Sequence, residues 1–194
     1  MISKLSKKIV NQLNILDDEQ ELYEYGFFIL LSQILYFIIA IIIGTICGTV
    51  FESIIFYIAF QFIRRYAGGY HAATETRCEI LSTLSILACI AVIRLSKIYD
   101  IQTVLLIIGA LSAVCIFVFC PLDTPEKPLS DKEFKYFRKV SLIILLVIVV
   151  AIVVSYVFKF QFMTVPCCLS LILESILLVA GKIKRVSQKN NVKT

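Results

Sequence analysis

Val140-Ser141-Leu142-Ile143-Ile144-Leu145-Leu146-Val147-Ile148-Val149-Val150-Ala151-Ile152-Val153-Val154-Ser155-Tyr156-Val157-Phe158 runs without one charged side chain. About 20 apolar residues in a helix match a ~30 Å hydrocarbon core, so this stretch predicts a transmembrane helix. Working outward, similar runs occur at residues 25–47, 49–63, 79–95, 103–120 and 162–181. The run at 49–63 is short and carries Glu52, so it fits least well; several others need tilt or a thin bilayer. The whole chain agrees, with 194 residues, 59% hydrophobic and only 17% charged, and mean hydropathy +0.91. Soluble domains carry nearer a quarter charged residues. The expected fold class is therefore an all-α polytopic membrane protein with six transmembrane helices, residues 1–194 forming a single domain. No internal repeat or low-complexity segment interrupts it.

Residues 1–20 read differently. Ile2, Leu5, Ile9, Leu13 and Leu16 recur at three- and four-residue steps, with Lys4, Lys7, Lys8 and Asn11 elsewhere on the wheel. That pattern predicts an N-terminal amphipathic interfacial helix lying on the membrane and closed by Asp17-Asp18-Glu19. No apolar h-region with a small-residue cleavage site follows, so a removable signal peptide is not expected.

Charge placement orients the helices. With six spans, sixteen of the nineteen Lys and Arg side chains fall on the side of the N-terminus, and only Arg94, Lys97 and Lys159 on the other. The positive-inside rule then makes both termini cytoplasmic in a multi-pass protein of the cell membrane. The net charge of +5 comes from juxtamembrane fringes such as Lys182-Ile183-Lys184-Arg185. Fringes of this kind meet anionic lipid head groups, and their scatter argues against nucleic-acid binding.

The chemistry-bearing residues gather in one polar interruption, Arg64-Arg65-Tyr66-Ala67-Gly68-Gly69-Tyr70-His71-Ala72-Ala73-Thr74-Glu75-Thr76-Arg77-Cys78. It holds the only histidine and one of seven cysteines. Cys47, Cys89, Cys115, Cys167 and Cys168 lie in apolar runs and read as small buried hydrophobes. Cys120 stands at a helix end beside Pro121. An odd count without a CxxC pair argues against a disulfide framework or a zinc module. A site of His71, Glu75 and Cys78 lacks a sound fourth ligand, so no metal or other cofactor is expected.

Gly68-Gly69 lets the loop fold back. Thr76-Arg77-Cys78-Glu79 reads as a capping box, with Thr76 the N-cap and Cys78 in the first turn of the third span. A helix N-terminus favours an anion, here a thiolate, and Arg65 and Arg77 act in the same sense. On one unbroken helix His71 and Cys78 would stand roughly 10 Å apart along the axis, so the chain between them must turn before they can pair. An incidental histidine and cysteine in a cytoplasmic loop are the plain alternative. On spacing alone that alternative stays open.

The run Arg64-Arg65-x-x-Gly68-Gly69-x-His71-Ala72, with Cys78 six residues on, resembles the signature of the AgrB family of accessory gene regulator proteins. The amphipathic start, the number of spans and the loop Cys120-Pro121-Leu122-Asp123-Thr124-Pro125-Glu126-Lys127-Pro128 extend the resemblance along the chain. Lys127 stands alone where the family often has several consecutive lysines. The resemblance implies a bacterial membrane cysteine endopeptidase acting on an AgrD-like propeptide in quorum sensing. Cys78 would be the nucleophile and His71 the base, with the peptide closed to a thiolactone or lactone through a thioester. It also implies supporting or substrate-binding roles for Arg64, Arg65, Gly68, Gly69 and Lys127, and a homodimer.

The residue that orients His71 is open among Glu75, Glu79, Glu52 and Glu174. An intramembrane carboxylate such as Glu174 is costly and so a functional suspect; its plain role is an interhelical hydrogen bond. Gln33 has similar status. Two rivals stand beside the peptidase reading: a non-enzymatic peptide-binding or export protein, and a small transporter working through midplane Glu52, Glu174 and Gln33.

Overall fold

A computed structural model describes residues 2–12, 17–70, 74–122 and 130–191. The described residues form seven α-helices: α1 Ile2–Gln12, α2 Asp17–Cys47, α3 Val50–Ala67, α4 Glu75–Ser96, α5 Gln102–Phe119, α6 Asp131–Val157 and α7 Gln161–Asn191. Five of them, all but α1 and α3, are long and apolar enough to cross a membrane. The chain is an all-α membrane protein.

Two expected boundaries move. Asp17 and its neighbours open α2 rather than closing the first helix, which ends at Gln12. Acidic residues suit a helix N-terminus, where they face the positive end of the dipole. The short α1 packs back on α2, burying Ser6 and Val10 and pairing Lys7 with Glu24 at 3.4 Å. Likewise α6 starts nine residues before the apolar run. Ser130 and Glu133 form a reciprocal capping box that carries the helix through its charged first turns.

α3 corresponds to the expected second span. Its 18 residues rise about 27 Å, but Glu52, Arg64 and Arg65 keep it outside the apolar set. It packs against α2, α6 and α7 and buries Ser53, Phe56, Ile63 and Ala67.

α7 is the central post, with 67% of its apolar span buried, and it contacts α3, α4, α5 and α6. Small residues let α5 approach it closely. A Cβ on Gly109 would lie 3.3 Å from the Cys168 side chain, and Ser175 donates to Ser112 across the same interface at 3.1 Å. Ser155 and Thr164 join α6 to α7 at 2.9 Å.

Short connections turn the helices back and forth, so two ends of the bundle can be told apart. One holds Gly48-Thr49, residues 97–101 and residues 158–160. There the Lys97 ammonium meets Glu52 at 2.7 Å and donates to the Gly48 carbonyl. The other end gathers the C-terminal ends of α3 and α5, the starts of α4 and α6, and the Leu177–Gly181 stretch of α7. The polar interruption containing Cys78 lies at this second end.

Candidate functional site

α3 stops where the sequence demands it. Gly68 (φ +78°) and Gly69 (φ +131°) take backbone conformations that L side chains rarely adopt. The chain then runs extended across the bundle. Leu122 N–H donates to Ala67 O at 2.8 Å, bridging to the loop after α5, and Tyr70 N–H donates to Leu177 O of α7 at 2.9 Å. Close approach to α7 requires Gly181: a Cβ there would sit 2.5 Å from the Leu122 side chain and 2.9 Å from Tyr70 N.

Arg64, one turn before the end of α3, forks over this segment. One guanidinium nitrogen donates to Gly68 O at 2.6 Å and the other to Tyr70 O at 2.5 Å. Its counter-charge is Glu174, fully buried on α7, whose Oε1 lies 3.9 Å from Nη1. Gly69 must lack a side chain here as well, because a Cβ would collide with the Arg64 guanidinium. Thus Arg64, Gly68, Gly69 and Glu174, four of the residues singled out from sequence, converge around one backbone segment. Arg65 does not join them. It points to a separate cleft of about 220 Å³ between α2 and α3, lined also by Gln33, Tyr57 and Gln61.

His71 follows Tyr70 directly in the chain and, like Lys127, lies outside the described residues. So does part of the metal set considered above. Cys78 is described and half-buried. The cap of its helix differs from expectation: Thr74, not Thr76, is the N-cap, and its hydroxyl accepts from Arg77 N–H at 3.4 Å. Thr74 wins because its extended backbone (φ −134°, ψ 147°) suits an N-cap, while Thr76 is already helical. Cys78 N–H consequently makes the first intrahelical bond, to Thr74 O at 3.1 Å. The thiol therefore sits a full turn inside the positive end of α4, still within the reach of the helix dipole. With Thr74 extended, α4 does not continue back as one unbroken helix from Cys78 to His71.

Beside Cys78, Glu79 lines a cleft of about 360 Å³ between α2 and α4 together with Leu35, Tyr36, Ile80, Thr83 and Leu84. The Tyr36 hydroxyl lies near Ser82, Cys78 and Glu79.

The remaining cysteines are also free thiols, and burial pushes the Cys120 thiol up from its ordinary value. Glu52 is engaged by Lys97 at the opposite end of the bundle, which removes it from the residues able to orient His71. Tyr36, Leu122, Leu177 and Gly181 were missed by the sequence reading. Only Gly181 left a signal, as a lone glycine where an apolar run meets a basic fringe.

A family model described as accessory gene regulator B matches residues 2–178. The chain belongs to the accessory gene regulator B family. The match takes in α1 to α6 and most of α7, including Arg64, Cys78 and Glu174. An AgrB-like protein of Clostridium perfringens is 30% identical over 152 residues, covering 74% of this chain and 71% of that protein. The accessory gene regulator protein B of Staphylococcus intermedius is 25% identical over 146 residues, 75% and 68% of the two chains. The FsrB protein of Enterococcus faecalis is 28% identical over 139 residues, 67% and 57%. No solved structure matches the chain.

Proposed function

We propose that this protein is a membrane cysteine endopeptidase that processes and cyclises an AgrD-like quorum-sensing propeptide. The observation that carries the reading is Cys78, half-buried in the first turns of α4 at the edge of the polar segment that also contains His71. Membership of the family supplies the substrate class.

In this reading His71 takes the Cys78 proton, and the thiolate attacks the scissile carbonyl carbon of the propeptide. The C–N bond breaks, His71 returns the proton to the leaving amine, and the C-terminal tail departs. The upstream peptide stays on Cys78 as a thioester. A cysteine or serine within that peptide then attacks the thioester carbonyl, closing a thiolactone or lactone and freeing Cys78. Exchange of one thioester for another is nearly isoenergetic, so cyclisation outruns hydrolysis only where water is excluded. In this reading the surrounding membrane supplies that condition.

The proposal extends to the architecture. α3 serves as a sixth crossing whose polar residues are tolerated because α2, α6 and α7 cover it. One domain spans residues 1–194, both termini are cytoplasmic, α1 rests at the membrane surface, and two copies form a dimer. Lys127 and Arg65 contact substrate or anionic lipid.

Cys78→Ala and His71→Ala should each abolish precursor cleavage while leaving the protein in the membrane, and a variant converting precursor at the normal rate would falsify the reading. A precursor lacking its internal nucleophile should accumulate on wild-type protein as a hydroxylamine-sensitive adduct at Cys78. A non-enzymatic binding or export protein gives no adduct.

A further inference from the structure

Among the described residues Glu174 is the one carboxylate with no exposed surface, and its position is unusual in two respects. It is fully inaccessible, and neither carboxylate oxygen accepts a hydrogen bond among the described residues. Its cationic neighbour is Arg64 at 3.9 Å, too long for a hydrogen-bonded pair but close enough for strong attraction in a low-dielectric interior. The guanidinium spends its donors elsewhere, on the carbonyls of Gly68 and Tyr70. The Glu174 carboxyl group thus lies against a cation whose hydrogen bonds are directed at a backbone segment.

That segment is held on three sides. The Tyr70 N–H is tied to Leu177 of α7, the Tyr70 carbonyl to Arg64, and Leu122 bridges from the loop after α5. Tyr70 is the residue before His71. A neutral donor in place of Arg64 would span the two carbonyls less well, because only the guanidinium offers a rigid fork. A guanidinium without a counter-charge in this setting would be drawn toward water. We infer that Glu174 is a positioning residue: its carboxyl group, set against the Arg64 guanidinium, keeps the fork on the Gly68 and Tyr70 carbonyls and thereby fixes the backbone that leads into His71.

This inference rests on the Cys78–His71 reading, and the experiment separates the two. The readouts are the alkylation rate of each cysteine in the full-length protein in detergent, by iodoacetamide and peptide mass mapping, and kcat and KM for precursor cleavage. His71→Ala and Cys78→Ala come first; if they leave cleavage intact, the underlying peptidase reading fails. Given their loss of activity, Glu174→Gln is expected to slow Cys78 alkylation and lower kcat by about tenfold or more, with KM little changed. Buried Cys89, Cys167 and Cys168 stay protected. Arg64→Lys, which keeps the charge but loses the fork, should do the same.

Wild-type Cys78 reactivity and kcat in Glu174→Gln would overturn the proposal. Exposure of the buried cysteines would mean that Glu174→Gln has disturbed the fold, and the charge-free pair Arg64→Gln/Glu174→Gln then decides. If that pair restores protection and also restores Cys78 reactivity, the positioning role is refuted. If it restores protection while Cys78 stays slow, the role stands.

Discussion

α7 and α4 are both long and apolar enough to cross a bilayer, yet 67% of the α7 span is buried within the protein and only 22% of the α4 span. α7 is packed against four other helices and holds the segment leading to His71. α4 lies at the periphery, mainly against α2, and carries Cys78. The two halves of the proposed catalytic pair therefore ride on unlike supports. One follows a segment, residues 68–70, locked by hydrogen bonds and close backbone contacts, while the helix that carries the other is held by one face and an ion pair at its far end. Hydrophobicity does not distinguish these helices, since lipid tails and core side chains are equally apolar. What separates them is the distribution of small and polar residues that permit tight helix contact.

The contrast can be broken at its strongest point by emptying the core. Phe56 of α3 is fully buried, and Phe56→Ala should cost about 4 kcal/mol. Leu84→Ala, at a 58%-exposed position on α4, should stay within about 0.5 kcal/mol. Thermal unfolding in one detergent compares them, and equal losses would erase the distinction between core and periphery.

A second test acts on the lock itself. Gly181→Val places a branched side chain where Leu122 and Tyr70 N already lie within 3 Å of a Cβ. Cleavage should fall about a hundredfold, as expected for displacing a catalytic group by roughly an ångström. Membrane levels should be unchanged. Normal cleavage would mean that the segment need not dock on α7 to work.

The smallest effect sharpens the other side. Lys97→Met removes the partner of Glu52 and releases the far end of α4. Because Lys97 is well exposed, the loss should be about 1 kcal/mol of stability, recovered in Lys97→Arg. A loss as large as that of Phe56→Ala would show that α4 is held by its end rather than by its face.

Much of this was legible in advance. Long apolar runs announce their helices because a lipid-facing backbone must satisfy its own hydrogen bonds, and the helix does so within one segment. The polar block from Arg64 to Cys78 stood out for the same reason: nothing else of that polarity interrupts the apolar helices so compactly. Helix ends were less legible. The early start of α6 was set by Ser130 and Glu133, and Thr74 displaced Thr76 as the cap of α4; such choices turn on φ and ψ at one residue, which composition does not encode. Cys78 was expected in the first turn and lies close by, so the error in the cap moved its surroundings more than its place.

Sequence alone determined the all-helical membrane class, the family and the placement of its sole histidine and Cys78 in one loop, because hydropathy and motif spacing are properties of the chain. Only tertiary structure decided which buried carboxylate matters to that loop. Glu52 and Glu174 look alike in sequence, each a lone acid in an apolar run. Packing puts one beside Lys97 at the far end and the other beside the Arg64 fork. A close ion pair forms only across a few ångströms, so its partner is chosen by which helices touch, and residues 110 positions apart in the chain become neighbours.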